Sequence, residues 1–386
     1  MAIEIEQLID QGNSYRAQHR PDLALQCYAQ ALIAEPTNAA AFNNFGIVLR
    51  ESGQPVASIP FLEQATRLQQ NYETAEFNLA VSILLSGDLD RGFKQYESRW
   101  NFEHLKGTLP DYAAPRWSGE DLQGKTILVI CEQGLGDNIQ FSRYTRQLYD
   151  RGATVIFKLI ESMHSLYKND PTIDRVISNL DREPDPPFDY WSPVMSLPRI
   201  LGVTYDNMNS PIRYIKSDRI IVEQWRQRLG EKTRPRIGFS WSGRRDSWIN
   251  QHKAVDFMYI AALIKRNPQY EWINLQIDAN TEESAILSDL GCATYPGTIT
   301  SMADTAALME CADLIISVDT AVTHLSCAIG RPTWVMLSNY ALDWRWLLNR
   351  SDSPWYPTAR LFRQPSIDRW APVILELERE LINHFG

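Results

Sequence analysis

Small and large apolar positions recur in step along the first hundred residues. At a shift of about 34 residues, Gly12 falls on Gly46 and Ala80, Ala24 on Ser58 and Gly92, and Ala31 on Ala65 and Arg99. Tyr15 falls on Leu49 and Ile83, and Tyr28 on Leu62 and Tyr96. Small side chains let antiparallel helices approach, and large ones fill the space between them. Pro36 ends the first unit, and Gly53 and Gly87 mark turns inside the second and third. The pattern predicts about three helix–turn–helix repeats over residues 1–105, the third degraded at Arg99 as in a terminal cap. Residues 106–123 break the helical period with Pro110, Pro115 and Gly119, and read as a linker.

Beyond it the period changes. Thr126–Glu132 is a short, continuously apolar run, followed by Gln133-Gly134-Leu135-Gly136-Asp137-Asn138 and a helix from about Ile139 to Asp150. A second strand reads Ala153–Ile160, and Asp181–Pro187 is a proline-rich loop. Charged helical residues from Asp218 to Lys232 lead to a boundary at Arg234-Pro235, after which strands are expected at Arg236–Trp241, Glu271–Ile277, Ala293–Pro296, Leu314–Val318 and Thr333–Leu337. Alternating strands and helices predict parallel sheets with ligands at the strands' carboxyl ends. Two lobes follow, 124–233 and 234–386, with the last helix expected to cross back to the first lobe. The spacing at the front resembles a tetratricopeptide-repeat array, closest in Ala24–Pro36; an ordinary helical bundle is the plainer alternative.

Composition narrows the class. A net charge of −9 over 386 residues disfavours a general nucleic-acid partner. The five cysteines show no Cys-x-x-Cys pair and read as buried thiols of a reducing compartment. Met1–Asp10 has no apolar core of a secretory signal, and no run of ~18 apolar residues suggests a membrane span, so a cytoplasmic location is expected.

Two loops carry chemistry. Gly134 and Gly136 allow a tight strand-to-helix turn and close approach of a ligand to backbone amides. The loop lacks the third glycine of a dinucleotide fingerprint and the Gly-Lys-Ser/Thr of a P-loop. Asp137 at the helix start reads either as a cap or as a reacting carboxylate. The second loop follows the apolar run ending at Val318: Asp319, Thr320, Thr323 and His324 lie at or just inside the next helix. Hydroxyls, an imidazole and free amides suit a diphosphate, with a threonine cap and a packed histidine as the alternative. Asp343-Trp344-Arg345-Trp346 suits either a nucleotide pocket, with Arg345 reaching the donor, or aromatic packing. The one Asp-x-Asp, Asp88-Leu89-Asp90, lies in a repeat turn and reads as turn chemistry, so no metal is expected.

In this order, strand–Gly-Leu-Gly-Asp–helix and strand–Asp-Thr-Ala-Val-Thr-His–helix–Gly-Arg-Pro resemble the lipopolysaccharide heptosyltransferase family of GT-B glycosyltransferases. The chain is more closely similar to bacterial proteins that join tetratricopeptide repeats to such a domain, also through Tyr96–Trp100, Trp241-Ser242-Gly243 and Asp343–Pro357. The resemblance implies an all-α repeat arm followed by a two-lobed, Rossmann-like GT-B unit. It implies inverting, metal-independent transfer from a nucleotide-sugar, with no cofactor. Asp137 matches the general base. Gly134, Gly136, Trp241, Lys253, Asp319, Thr320, Thr323, His324 and Arg345 are the residues expected around the donor. Ala321 and Val322 stand where the family often has Gly and Pro, which leaves the donor sugar open. A repeat arm points to a protein acceptor, through Ser or Thr. A transferase of surface glycans, or a non-catalytic repeat scaffold, are the alternatives.

Overall fold

The computed structural model describes residues 5–102, 105–180, 185–208, 211–245, 248–340 and 342–386, so the start of the proline-rich loop, 181–184, lies outside the described residues. Six helices open it: α1 (Ile5–Ala17), α2 (Pro21–Ala34), α3 (Ala39–Glu51), α4 (Pro55–Leu68), α5 (Glu73–Ser86) and α6 (Leu89–Tyr96). They pack as successive pairs. Pro21 and Pro55 begin α2 and α4, where a missing N–H is harmless. The turn inside each pair uses left-handed backbone at His19, Gly53 and Gly87 (φ 57, 75 and 97°), so the first repeat makes with histidine the turn its fellows make with glycine. Asp88 caps α6 by accepting from the Arg91 N–H at 3.1 Å, and Asp90 pairs with Lys94, which is turn chemistry as expected.

The predicted small positions are where helices touch. A Cβ on Gly12 would lie 2.5 Å from the Tyr28 ring, on Gly46 2.7 Å from Leu62, and on Gly92 2.5 Å from Leu84. Tyr28 is fully buried and its hydroxyl donates to Asn13 Oδ1 at 2.8 Å, so the ring cannot swing aside. Gly12→Val is expected to lower the arm's denaturant midpoint by the equivalent of about 1–3 kcal/mol, overpacking outweighing the few tenths gained in helix propensity. An unchanged midpoint would show that this crossing is loose. Arg99 is not a solvent-facing cap. It is fully buried, over the Tyr96 and Trp100 rings and bonded to Glu97.

Two compact units result: residues 1–112 with 202–208 and 342–349, and the remainder. In the first, Trp344 meets Phe93 edge-on at 5.6 Å. The second contains β1 (Thr126–Ile130), α7 (Leu135–Phe141), α8 (Thr145–Asp150), β2 (Thr154–Leu159), α9 (Glu161–Tyr167), β3 (Arg175–Ser178), β4 (Tyr190–Pro193), α10 (Leu197–Ile200) and α11 (Arg219–Leu229). It continues with β5 (Arg236–Ser240), α12 (Trp248–Lys253), α13 (Phe257–Arg266), β6 (Glu271–Asn274), α14 (Thr281–Asp289), α15 (Met302–Glu310), β7 (Leu314–Val318), α16 (Ala321–Ala328), β8 (Thr333–Leu337), β9 (Ala359–Arg363) and α17 (Ala371–Phe385).

The strands form two all-parallel sheets, ordered β3-β2-β1-β4 and β6-β5-β7-β8-β9. Each order reverses once in sequence, between β1 and β4 in the first and between β5 and β7 in the second. Such switch points open a crevice at the strands' carboxyl ends. Three expectations need correction. Ala293–Pro296 is not a strand; it contributes one bridge, Ala293 to Ile273. The linker ends early: Trp117 is fully buried and its N–H donates to Trp191 O at 2.8 Å, so residues from Ala113 belong to the α/β unit. The last helix does not cross back. Val373, Ile374, Leu377 and Leu381 of α17 pack into the core beneath the second sheet, and Arg266 of α13 pairs with Glu378 at 2.9 Å.

Candidate active site

The chemistry-bearing loops leave both sheets at their switch points. After β1 the chain turns through Gln133, in left-handed backbone at φ 55°, to Gly134, the cap of α7. Asn138, fully buried, staples this turn: its Oδ1 accepts the Glu132 N–H at 3.1 Å and its Nδ2 donates to Glu132 O at 3.0 Å and Gly134 O at 2.8 Å. Asp137 Oδ2 accepts the Gly134 N–H at 2.9 Å. The carboxylate therefore sits in the first turn and reaches back to the cap residue, which orients it without enclosing it. Glu132, nearly buried, accepts the Met195 N–H at 2.9 Å and so bridges the loops that follow β1 and β4. Burial pushes the Cys131 thiol up, keeping it protonated and a poor nucleophile.

The loop after β7 holds the other half. Asp319 is buried, and its Oδ2 meets Lys253 Nζ, at the end of α12, at 2.5 Å. Its Oδ1 lies 3.8 Å from His324 Nε2. His324 is 5 % exposed, and its Nδ1 bonds the Tyr356 hydroxyl at 2.8 Å. Thr320 caps α16 in extended backbone without a side-chain cap bond, which leaves the first-turn amides to solvent or a ligand. The two loops meet: a Cβ on Gly136 would lie 2.6 Å from His324 Cδ2. Glycine at 136 is thus what lets the turn carrying Asp137 seat against the imidazole.

The structure gathers Gly134, Gly136, Asp137, Lys253, Asp319, Thr320 and His324 into these facing loops. Of the other expected donor residues, two are turned into the core of this unit and one belongs to the helical unit. Trp241 is 2 % exposed, its indole packed against Phe239 and Phe257 in the core of the second sheet. Thr323 is fully buried and its hydroxyl donates to Val318 O at 2.7 Å, tying the first turn of α16 back to the end of β7. Arg345 falls in the segment that groups with the helical unit, where it is bonded to Asp343 at 3.1 Å and lies over the Trp344 ring. Glu132, Asn138, Arg143 and Tyr356 went unremarked as site residues in the sequence.

The family model for glycosyltransferase family 9 (heptosyltransferase) matches residues 296–336, which span α15, β7, α16 and nearly all of β8. Protein FlbA of Caulobacter vibrioides is 25% identical over 428 residues, covering 93% of this chain and 70% of that protein. The SPINDLY protein of Hordeum vulgare, described as a probable UDP-N-acetylglucosamine–peptide N-acetylglucosaminyltransferase, is 28% identical over 99 residues, 24% of this chain and 10% of that protein. A glycosyl transferase family 9 structure from Veillonella parvula superposes with a TM-score of 0.51 at 14% identity, over 69% of this chain and 97% of that one, a likeness of fold. The family match over residues 296–336, on the segment that carries Asp319 to His324, and the likeness of fold make the α/β unit similar to heptosyltransferase-like glycosyltransferases, a class that uses nucleotide-sugars. In this chain it follows an arm of six helices packed as successive pairs. Among the described residues no helix is long and apolar enough to cross a membrane.

Proposed function

We propose that this protein transfers a sugar from a nucleotide-sugar to a Ser or Thr hydroxyl of a protein acceptor, with inversion and without a metal. The observation that carries the reading is the seating of the Gly134–Asp137 turn on His324, which brings a carboxylate to the Lys253–Asp319–His324 group. In this scheme Asp137 takes the proton of the acceptor hydroxyl as its oxygen attacks the anomeric carbon. The bond to the nucleoside diphosphate breaks on the opposite face. Lys253, the Thr320 hydroxyl and the amides that begin α16 offset the charge growing on the leaving diphosphate, the part a metal plays elsewhere. Asp319 holds Lys253 until a donor arrives.

The protein acceptor rests on the arm. Asn44 Nδ2 donates to Asn13 Oδ1 at 3.0 Å, Asn43 Nδ2 to Asn44 Oδ1 at 3.0 Å, and Asn78 Nδ2 to Asn43 Oδ1 at 3.2 Å, with Arg50 on Asn78 Oδ1 at 3.0 Å. This amide row runs across α1, α3 and α5, the first helices of the repeats. Asn43 and Asn78 are buried and brace the row, while Asn13 and Asn44 reach the surface; carboxamides donate and accept as a peptide backbone does, so the outer pair suits an extended chain whatever its sequence. The peptide acceptor in the SPINDLY description agrees with that choice. A panel of nucleotide-sugars incubated with candidate protein and glycan acceptors, with and without EDTA, tests the scheme by mass spectrometry. Sugar is expected on Ser or Thr in both conditions. Transfer to glycans alone would overturn the acceptor, and loss of transfer in EDTA the metal-free mechanism.

A further inference from the structure

Arg50, near the end of α3, is half-buried, and among the described residues no carboxylate is bonded to it. The acid next to it in the chain, Glu51, is already engaged: Arg16 of α1 grips it through Nε at 2.8 Å and Nη2 at 2.6 Å. Arg16, Arg50 and Glu51 thus leave one positive charge unanswered. Burial pushes the Arg50 pKa down to about 10, so the side chain stays charged at neutral pH and bears the cost of partial desolvation.

The bonds that Arg50 makes do not call for that charge. Its Nη1 donates to Asn78 Oδ1 at 3.0 Å and to Asn78 O at 3.4 Å, both neutral acceptors. Its Nε and Nη2 bond to nothing among the described residues, and neither is sealed from solvent. These two atoms form the edge of a guanidinium that takes a carboxylate in two parallel bonds, the edge with which Arg16 holds Glu51. Arg50 follows Asn44 by six residues, about 9 Å along α3, a distance that an extended chain covers in about three residues. One short segment can therefore meet the outer carboxamides and this guanidinium together.

We propose that Arg50 selects an acidic side chain, aspartate or glutamate, in the protein segment that the arm binds. The inference rests on the protein-acceptor reading above and deepens it, by giving the acceptor a charge. The carboxylate takes the Nε–Nη2 edge while Nη1 stays on Asn78. The carboxamides read only backbone and prefer no sequence; Arg50 supplies the preference.

The test is a selection of short peptides on full-length protein, from one library blocked at both ends and one with free carboxyl termini. It needs no nucleotide-sugar. Wild type is expected to enrich Asp or Glu at one position of the blocked library. Arg50→Gln keeps a donor for Asn78 but loses the charge, and is expected to enrich neither acid. Arg50→Lys keeps the charge without the fork, and should retain a weaker preference. A selected peptide whose acid is replaced by the corresponding amide is expected to bind wild type about 10-fold more weakly, the low end for a hydrogen bond to a charged group. That comparison does not depend on any variant folding. Failure to recover peptides, no acidic preference in wild type, or the same preference in folded Arg50→Gln overturns the proposal. Acid read only at free carboxyl termini overturns it as well. An acidic preference in protein that transfers no sugar would keep the role of Arg50 and remove the sugar-transfer reading. Transfer to protein hydroxyls without an acidic preference would remove the role of Arg50 alone.

Discussion

Asp137→Asn is expected to lower turnover by ~10²–10⁴-fold while leaving the protein folded and its donor affinity unchanged or slightly improved. The carboxamide oxygen can still accept the Gly134 N–H that Asp137 accepts at 2.9 Å, so the turn keeps its shape. What is lost is the proton acceptor and one negative charge in the first turn of α7. The charge contributes about 0.3–1 kcal/mol through the helix dipole, too little to unfold the unit. A capping role and a catalytic role therefore make opposed forecasts for one substitution. Transfer rate, donor affinity and melting temperature should be measured on the same preparation. Near-normal turnover would return Asp137 to helix capping and leave the site without its base.

The second large effect is at Lys253. Lys253→Met strips the cation from Asp319, whose side chain is only 6% exposed, and is expected to reduce the stability of the α/β unit by about 3 kcal/mol. Donor affinity should fall at least ~10-fold as well, because a charge-assisted bond to the diphosphate is gone. The double variant Lys253→Met/Asp319→Leu separates the two consequences. Removing both charges together is often neutral for folding, so most of the stability should return. Donor affinity should stay low. Calorimetric titration and denaturant unfolding of the single and double variants supply the comparison. Recovery of donor binding in the double variant would show that Lys253 serves only to neutralise Asp319.

The parts of the fold that were legible in sequence are those where one rule acts alone. β1, β2, β5, β7 and β8 are covered on both faces, so they read as continuous apolar runs. β3, β4 and β9 carry Arg175, Pro193 and the pair Arg360 and Arg363, which mask the strand pattern. Ala293–Pro296 looked like a strand but makes a single bridge, because a run that short is decided by its neighbours. At the site, the Asp137 and Asp319–His324 loops were visible because each follows an apolar strand with its polar residues in one block. The same locality misled for Trp241 and Thr323. Residue type does not reveal that an indole faces the core or that a hydroxyl is bonded back to Val318. Arg143 could not be read at all: its partners Tyr214 and Trp355 lie 71 and 212 positions away.

The helical unit is not continuous in the chain. Residues 202–208 and 342–349 group with the first 112, and Trp344 and Trp346, both nearly fully buried, arrive with the second of these segments. During synthesis the repeats emerge first, and their local helix pairs can form at once. The Phe93 surface that meets Trp344 must wait until some 250 further residues have been made, about 12–50 s at typical elongation rates. For that interval the nascent arm exposes an aromatic patch that the finished protein hides. Ribosome-bound chains stopped before residue 342 are therefore expected to be more susceptible to proteolysis around Phe93 than chains released at full length.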